Sequence, residues 1–426
     1  MFAPARSGFS RRRLLAAAAT STAALTTVAL LPGGTSFAAT FGSPVVVSGA
    51  NASEPGVDVA PDGTLYVNAP VGLLSNIPGS PSLVFRSDDG GATWATLPAG
   101  LKANLPGGGD SDIAIAPDGT LSETDLWLGS STVATSKDKG QTWTAQPLQG
   151  APVQDRQWVT AVSGGRVYHV VHEIPSGLWV SRSVDSGLTY PQQVPAATVA
   201  DQTGCICPPG NIVSEDGGVL ADKVGGVYAT SVGGVGFYRS TNGGLTFTNS
   251  TPGPASSATT NGAFPVVADG GNGKLAVVWQ AVDGNTSTVW FNTSSDFGAT
   301  WATPKQIVTA GTSLYPWVDY RAGKIAVSLY HTDANATPDT APAGAQWFES
   351  YLESTDGGAT FSALQSVDST PVKTGPVCTG GVNCSANREL GDFQQVAIDN
   401  AGKSVMSYIH SIDNAADTEI RFVKQA

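Results

Sequence analysis

The sequence predicts an all-β fold assembled from one repeated unit of about four strands. Three observations predict it. The 426 residues include 51 Gly and 27 Pro, which argues against a helical protein. Short runs rich in Val, Ile, Tyr and Trp alternate with Gly, Asp, Asn and Pro, while apolar residues three and four apart are missing beyond the extreme N-terminus. The pattern Ser-x-Asp-x-Gly-x-Thr-aromatic recurs six times, the mark of a repeat architecture. No Pro- or Ser-rich linker divides the chain after residue 39, so residues 40–426 are expected to form a single domain.

The N-terminal segment is a separate object. Ser10-Arg11-Arg12-Arg13-Leu14-Leu15 fits the twin-arginine export pattern, and an apolar run from Leu14 to Leu31 follows, broken by Pro32-Gly33-Gly34. Ser36-Phe37-Ala38 supplies the small residues of a cleavage site, with Ala38 or Ala39 the last residue removed. Residues 1–39 are therefore expected to be a signal peptide of a bacterial protein that folds before secretion; an uncleaved anchor helix is the alternative. No other stretch is long and apolar enough to span a bilayer.

Charge narrows the partners. Residues 1–39 hold four Arg and no acid, so the remainder carries 18 basic and 34 acidic side chains, a net charge of −16. Such a surface repels nucleic acid and anionic membranes, and it would also repel anionic sugars unless a local basic pocket exists. Of the four cysteines, Cys378 and Cys384 close a short loop and are expected to pair. Cys205 and Cys207 stand too close for an unstrained bond. The C-x-C and C-x5-C spacings do not fit a zinc site.

The first repeats are Ser87-Asp89-Gly91-Thr93-Trp94, Ser136-Asp138-Gly140-Thr142-Trp143 and Ser183-Asp185-Gly187-Thr189-Tyr190. The last three are Ser240-Asn242-Gly244-Thr246-Phe247, Ser294-Asp296-Gly298-Thr300-Trp301 and Ser354-Asp356-Gly358-Thr360-Phe361. Their chemistry is that of a hairpin turn: the Asp accepts backbone N–H groups, the Gly takes a φ other residues resist, and the aromatic packs back between sheets. These are fold residues. An apolar strand, a tight turn and another strand precede each one, as in Val57–Val67 and Ile113–Leu121. That unit appears a seventh time from Val396, without a seventh turn motif.

The motif resembles the Asp-box, or BNR repeat, of the sialidase superfamily, and the resemblance covers nearly the whole chain beyond residue 39. It implies a β-propeller. Phe41–Val47 resembles the segments that follow the boxes, such as Trp301–Val308, and would complete the last sheet. The expected fold is thus a seven-bladed propeller of four-stranded blades, closed by the N-terminal strand. Six blades, the number in sialidases proper, with a terminal extension are the alternative.

In a propeller the boxes and the turns after the innermost strands share one face, so function is expected on the other. There the inter-blade loops would deliver Glu54, Asp58, Asp110 and Asp112, then Asp155-Arg156-Gln157-Trp158, then Tyr315, Trp317 and Asp319, then Arg388, Glu389, Asp392 and Phe393. Second-to-third-strand loops would add His172, Glu173, Tyr330, His331, Asp333, His410 and Asp413. Acids at a channel mouth supply paired carboxylates for glycosidic chemistry or oxygen ligands for Ca²⁺. Carboxylates at strand ends also cap backbone N–H groups, which is the plainer use of any single one.

The resemblance implies three arginines on a sugar carboxylate, an Asp acid/base and a Tyr–Glu nucleophile pair. The Arg-Ile-Pro motif that carries the first arginine is absent, and only Arg156, Arg388 and Arg321 are expected near the mouth. Two function classes follow. One is a glycoside hydrolase or lyase, expected to act as a monomer on an extracellular glycan or glycoconjugate, with Glu54, Asp155 and Asp392 in acid/base roles, and with Trp158, Tyr315 and Trp317 stacking on sugar beside Arg156, Arg388 and His331. The other is a non-catalytic propeller that binds glycan, protein or calcium.

Overall fold

The structure, a computed structural model, describes residues 38–426 except 50, 72–80, 106, 128–129, 149–153, 174–176, 198–208, 231–232, 255–263 and 413–416. Nearly all of the expected signal segment therefore lies outside the described residues, as do Cys205, Cys207 and Asp413. Among the described residues no helix is long and apolar enough to cross a membrane.

Seven antiparallel sheets of four strands stand in a ring, one of them carrying a short extra strand. The innermost strands are Gly56–Val59, Ser111–Ile115, Gln154–Val162, Pro209–Glu215, Val266–Gly271, Thr312–Arg321 and Gln395–Ile398. They define blades one to seven in chain order. Val45–Ser48 pairs with Thr418–Lys424 as the outer strand of blade seven, so the ring closes between the two ends of the chain. Phe41 extends that contact, its ring 5.0 Å from Tyr351 of blade six. Both the count of seven and the closing strand agree with the sequence; six blades do not.

The repeat turns explain why each blade's third strand turns back where it does. In the first, Ser87 Oγ donates to Asp89 Oδ1 at 2.8 Å and accepts Gly91 N–H at 2.9 Å. Thr93 N–H donates to the same carboxylate at 2.9 Å and its hydroxyl at 2.6 Å. The other five turns repeat this network, Asn242 serving where Asp is replaced. Gly91 sits at φ 97°, a conformation that a Cβ would strain. The Thr hydroxyls lead the contacts that hold Asp89, Asp138 and Asp356 down at about pKa 2. Aromatics of three turns reach the preceding blade: Trp94 packs on Phe422, Trp301 on Phe237 and Phe361 on Phe291, with ring centres 4.9 to 5.3 Å apart.

Every inter-blade seam also carries a side-chain bond to the next blade's backbone near the inner strands. Asp58 accepts Ile115 N–H, Asp112 accepts Val159 N–H and Asp319 accepts Ile398 N–H, at 2.9, 2.9 and 2.6 Å. Trp158 Nε1 donates to Pro209 O, Asn211 pairs with both polar groups of Val267, Gln280 accepts Tyr315 N–H and Gln395 accepts Val57 N–H. Each such bond contributes about 1 kcal/mol net, and leaving a buried partner unmet costs more. Asp58, Asp112 and Asp319 were expected among the residues of the mouth. They are instead staples between blades, because alternation along a strand turns them into the seam rather than the channel.

Candidate functional site

Repeat turns and inner hairpins share one face, as Phe297 N–H donating to Gly273 O at 2.7 Å illustrates. Inner strands start at the opposite face. Their starting residues converge there, at the mouth of the central channel.

Two arginines organise the convergence. Arg388 clamps Asp392 with both terminal nitrogens, at 2.6 and 2.8 Å, and reaches Glu54 Oε1 at 3.2 Å. Arg156 lies flat over the indole of Trp158, its guanidinium carbon 3.6 Å from the ring centre and 4.4 Å from that of Phe393. Its Nε stands 3.8 Å from Asp110, and its terminal nitrogens donate to Ser111 O at 3.4 Å. Beneath it Trp158, Phe264, Trp317 and Phe393 pack ring on ring at 5.3 to 6.1 Å and close the channel floor. These four come from blades three, five, six and seven, so the floor exists only in the closed ring.

The acids differ in exposure. Glu54 is fully buried, Asp110 and Asp392 are partly buried, and Asp155 faces solvent. Burial pushes Glu54 well above the ordinary carboxylate range, and its neighbours Asp110 and Asp392 add to the effect. Asp155 is pushed up to about 7, by desolvation first and then by Asp110, with Arg156 opposing. Burial raises Asp392 as well, while Arg388 pulls the other way. Two backbone positions at the site are strained: Glu54 at φ 49° and Tyr315 at φ 52°, neither a glycine. Gln280 and Gln394, from blades five and seven, hold the Tyr315 backbone by its N–H and its C=O. The Tyr315 hydroxyl is buried without a hydrogen-bond partner among the described residues.

The structure thus brings Glu54, Asp155, Asp392, Arg156 and Arg388 together, with Asp110 among them. The stacking expected of Trp158 and Tyr315 is not available. Trp158 is fully enclosed, one ring face covered by Arg156, and Tyr315 is 2% exposed. Trp317 is buried in the same floor. His331 lies on the same face but is occupied elsewhere, with Nδ1 3.2 Å from Ser313 Oγ and Nε2 3.6 Å from Asp333; burial lowers its pKa. Burial likewise lowers His172 and His410.

Arg321 is not at the mouth. It closes the far end of its ten-residue strand and donates to Ile398 O at 3.0 Å and Asn400 at 2.6 Å, on the repeat-turn face. A three-arginine clamp therefore does not form. Among the described residues no group of three His, Cys, Asp or Glu side chains is placed to hold a metal, so the calcium expected of the mouth acids finds no such donor set there. Guanidinium groups stand between those carboxylates.

The segment from Val367 to Gln394 delivers Arg388 and Asp392. Cys378 and Cys384 are bonded within it, as expected. Cys378 N–H donates to Asn387 O at 2.7 Å, Asp339 holds Thr379, and Lys373 pairs with Glu389 at 2.7 Å in the interior. Phe264, Gln280 and Gln394 were not foreseen. Phe264 could have been, since it holds the pre-strand position that Glu54 and Asp110 hold in their blades. The two glutamines carry no sequence signal.

No protein-family model matches the sequence, and no curated protein matches it. Among solved structures, an ulvan lyase bound to a GlcA(1-4)Rha3S saccharide is similar at TM-score 0.51 and 13% identity, over 90% of this chain and 93% of that one. An alpha-L-arabinanase of Penicillium chrysogenum gives TM-score 0.49 and 12% identity, over 91% and 98%. A leech intramolecular trans-sialidase gives 0.48 and 12%, over 92% and 70%. At these identities the likeness is one of fold, the β-propeller.

Proposed function

We propose that this chain is an exported Asp-box propeller of the sialidase superfamily that hydrolyses a glycosidic bond of an extracellular glycan at its channel mouth. Export would use the twin-arginine segment, residues 1–39. One observation carries the assignment: the carboxyl groups of Glu54, Asp110 and Asp392 gather around Arg156 and Arg388 at the mouth, and Asp155 stands beside them open to solvent, its pKa pushed up to about 7. At neutral pH it is partly protonated and can give its proton to the leaving glycosidic oxygen as the C–O bond breaks. Asp392, opposed by Arg388, takes the proton of the attacking water, so both protons are accounted for. Glu54 is fully enclosed and acts through Arg388 as a positioning residue rather than as the acid/base expected of it.

A non-catalytic mouth that binds glycan, protein or calcium is the second reading, and the enclosure of Trp158 and Tyr315 favours it, because neither ring can hold a sugar in place for hydrolysis. Hydrolysis of a panel of aryl and alkyl glycosides by the protein and by Asp155→Asn separates the two. Turnover by the parent and its loss in the variant supports the hydrolase; equal behaviour removes Asp155 from the mechanism.

A further inference from the structure

The mouth holds acids that a substrate can meet and no cation that it can meet. We infer that the site takes an uncharged glycan and turns away chains bearing carboxylate or sulfate groups, an inference that rests on the glycan assignment above. Both local arginines are enclosed. Arg388 is 5% exposed and its terminal nitrogens are taken by Asp392 and Glu54. Arg156 is 1% exposed, with one face on Trp158 and its terminal nitrogens on Ser111 O.

The lysines do not replace them. Lys102 and Lys373 are buried in ion pairs with Glu123 and Glu389. Lys137 and Lys139 belong to a repeat turn, and Lys223, Lys274, Lys324 and Lys403 flank inner hairpins, all on the opposite face. Lys305 donates to the backbone of the blade-six repeat turn, and Lys424 pairs with Asp399 at the blade-seven hairpin. Beyond residue 37, the segments outside the described residues contain no Lys or Arg at all. His172, His331 and His410 are held toward the neutral form by burial.

What remains for a ligand is uncharged or anionic. Asp155 is open, and Asp110 and Asp392 are partly so. A sugar hydroxyl can donate to these carboxylates. A sugar carboxylate or sulfate meets like charge with no exposed cation to compensate it.

The test uses the mature protein on an array of neutral, uronate-bearing, sialylated and sulfated glycans, with added salt as a second variable. The expected result is binding confined to neutral glycans and insensitive to salt, with anionic counterparts at least about tenfold weaker. An anionic glycan bound as tightly as its neutral counterpart overturns the inference, and Arg388→Gln then locates the anion. Aryl-glycoside hydrolysis measured in parallel separates the two failures. Neutral binding without turnover keeps the charge selectivity and removes the hydrolase; cleavage of sialosides or uronides does the reverse. An array that captures nothing overturns both.

Discussion

Replacing Asp155 with Asn removes one titrating proton from a solvent-facing side chain at nearly constant size. With the folded pKa at about 7, the protonated fraction falls from almost complete at pH 5 to about one part in a hundred at pH 9. If Asp155 is the general acid, activity declines about tenfold per pH unit above neutrality, a loss of about 100-fold between those limits. Asp155→Asn should lower turnover by about 10²–10⁴-fold and abolish that alkaline limb. The loss should be smallest for aryl glycosides whose phenolate leaves without protonation and largest for alkyl glycosides. The assay is steady-state hydrolysis across pH with a leaving-group series, after circular dichroism has confirmed the fold. A variant that keeps the limb near pH 7, or loses the same factor on every leaving group, refutes the assignment of the proton to Asp155.

Stability should peak in mild acid. Asp58, raised to about 7, and Asp112, raised to about 6, keep protons in the folded state that the unfolded chain releases near pH 4. Their contribution is complete below that point and lost as pH rises through 6 to 7. Asp89, Asp138 and Asp356, held at about 2, contribute above pH 4 and lose it as pH falls toward 2. Calorimetry should therefore place the highest Tm between about pH 4 and 6, and a Tm that climbs steadily from pH 5 to 8 contradicts the account. Gly210→Ala puts a Cβ 1.9 Å from Pro265 O, a backbone atom at the seam of blades four and five, and should cost about 3 kcal/mol in urea unfolding. Gly344→Ala, with open space around it, should stay within about 0.5 kcal/mol. Cys378→Ala opens the six-residue separation to Cys384 and should lower stability by about 2 kcal/mol. It should also raise KM more than it lowers kcat, because the loop carries Arg388; unchanged kinetics would detach the disulfide from the site.

The sequence by itself determined the blade. Each repeat turn closes its hydrogen bonds within eight residues, Ser87 to Trp94 for example, so its geometry is written in adjacent letters. Counting units gave seven blades, and the likeness of Phe41–Val47 to the segments after the boxes gave the closing strand. The acids and arginines of the mouth were legible for the same local reason: they stand where inner strands begin, and every inner strand begins at one face.

Only the tertiary structure decided which of them are free to act. Asp58 and Asp155 are both acids of inner strands, yet one is a staple held by Ile115 of the next blade and the other meets solvent. Arg321 shares a strand with Tyr315 but ends on the opposite face, since ten residues of extended chain run from one face of the ring to the other. Trp158 is enclosed because Arg156 covers it and Phe264 and Phe393 arrive from blades far along the chain. Gln395 meets Val57 across 338 residues. No local pattern records such a meeting, because burial and charge pairing at the mouth are set by which blades become neighbours when the ring closes.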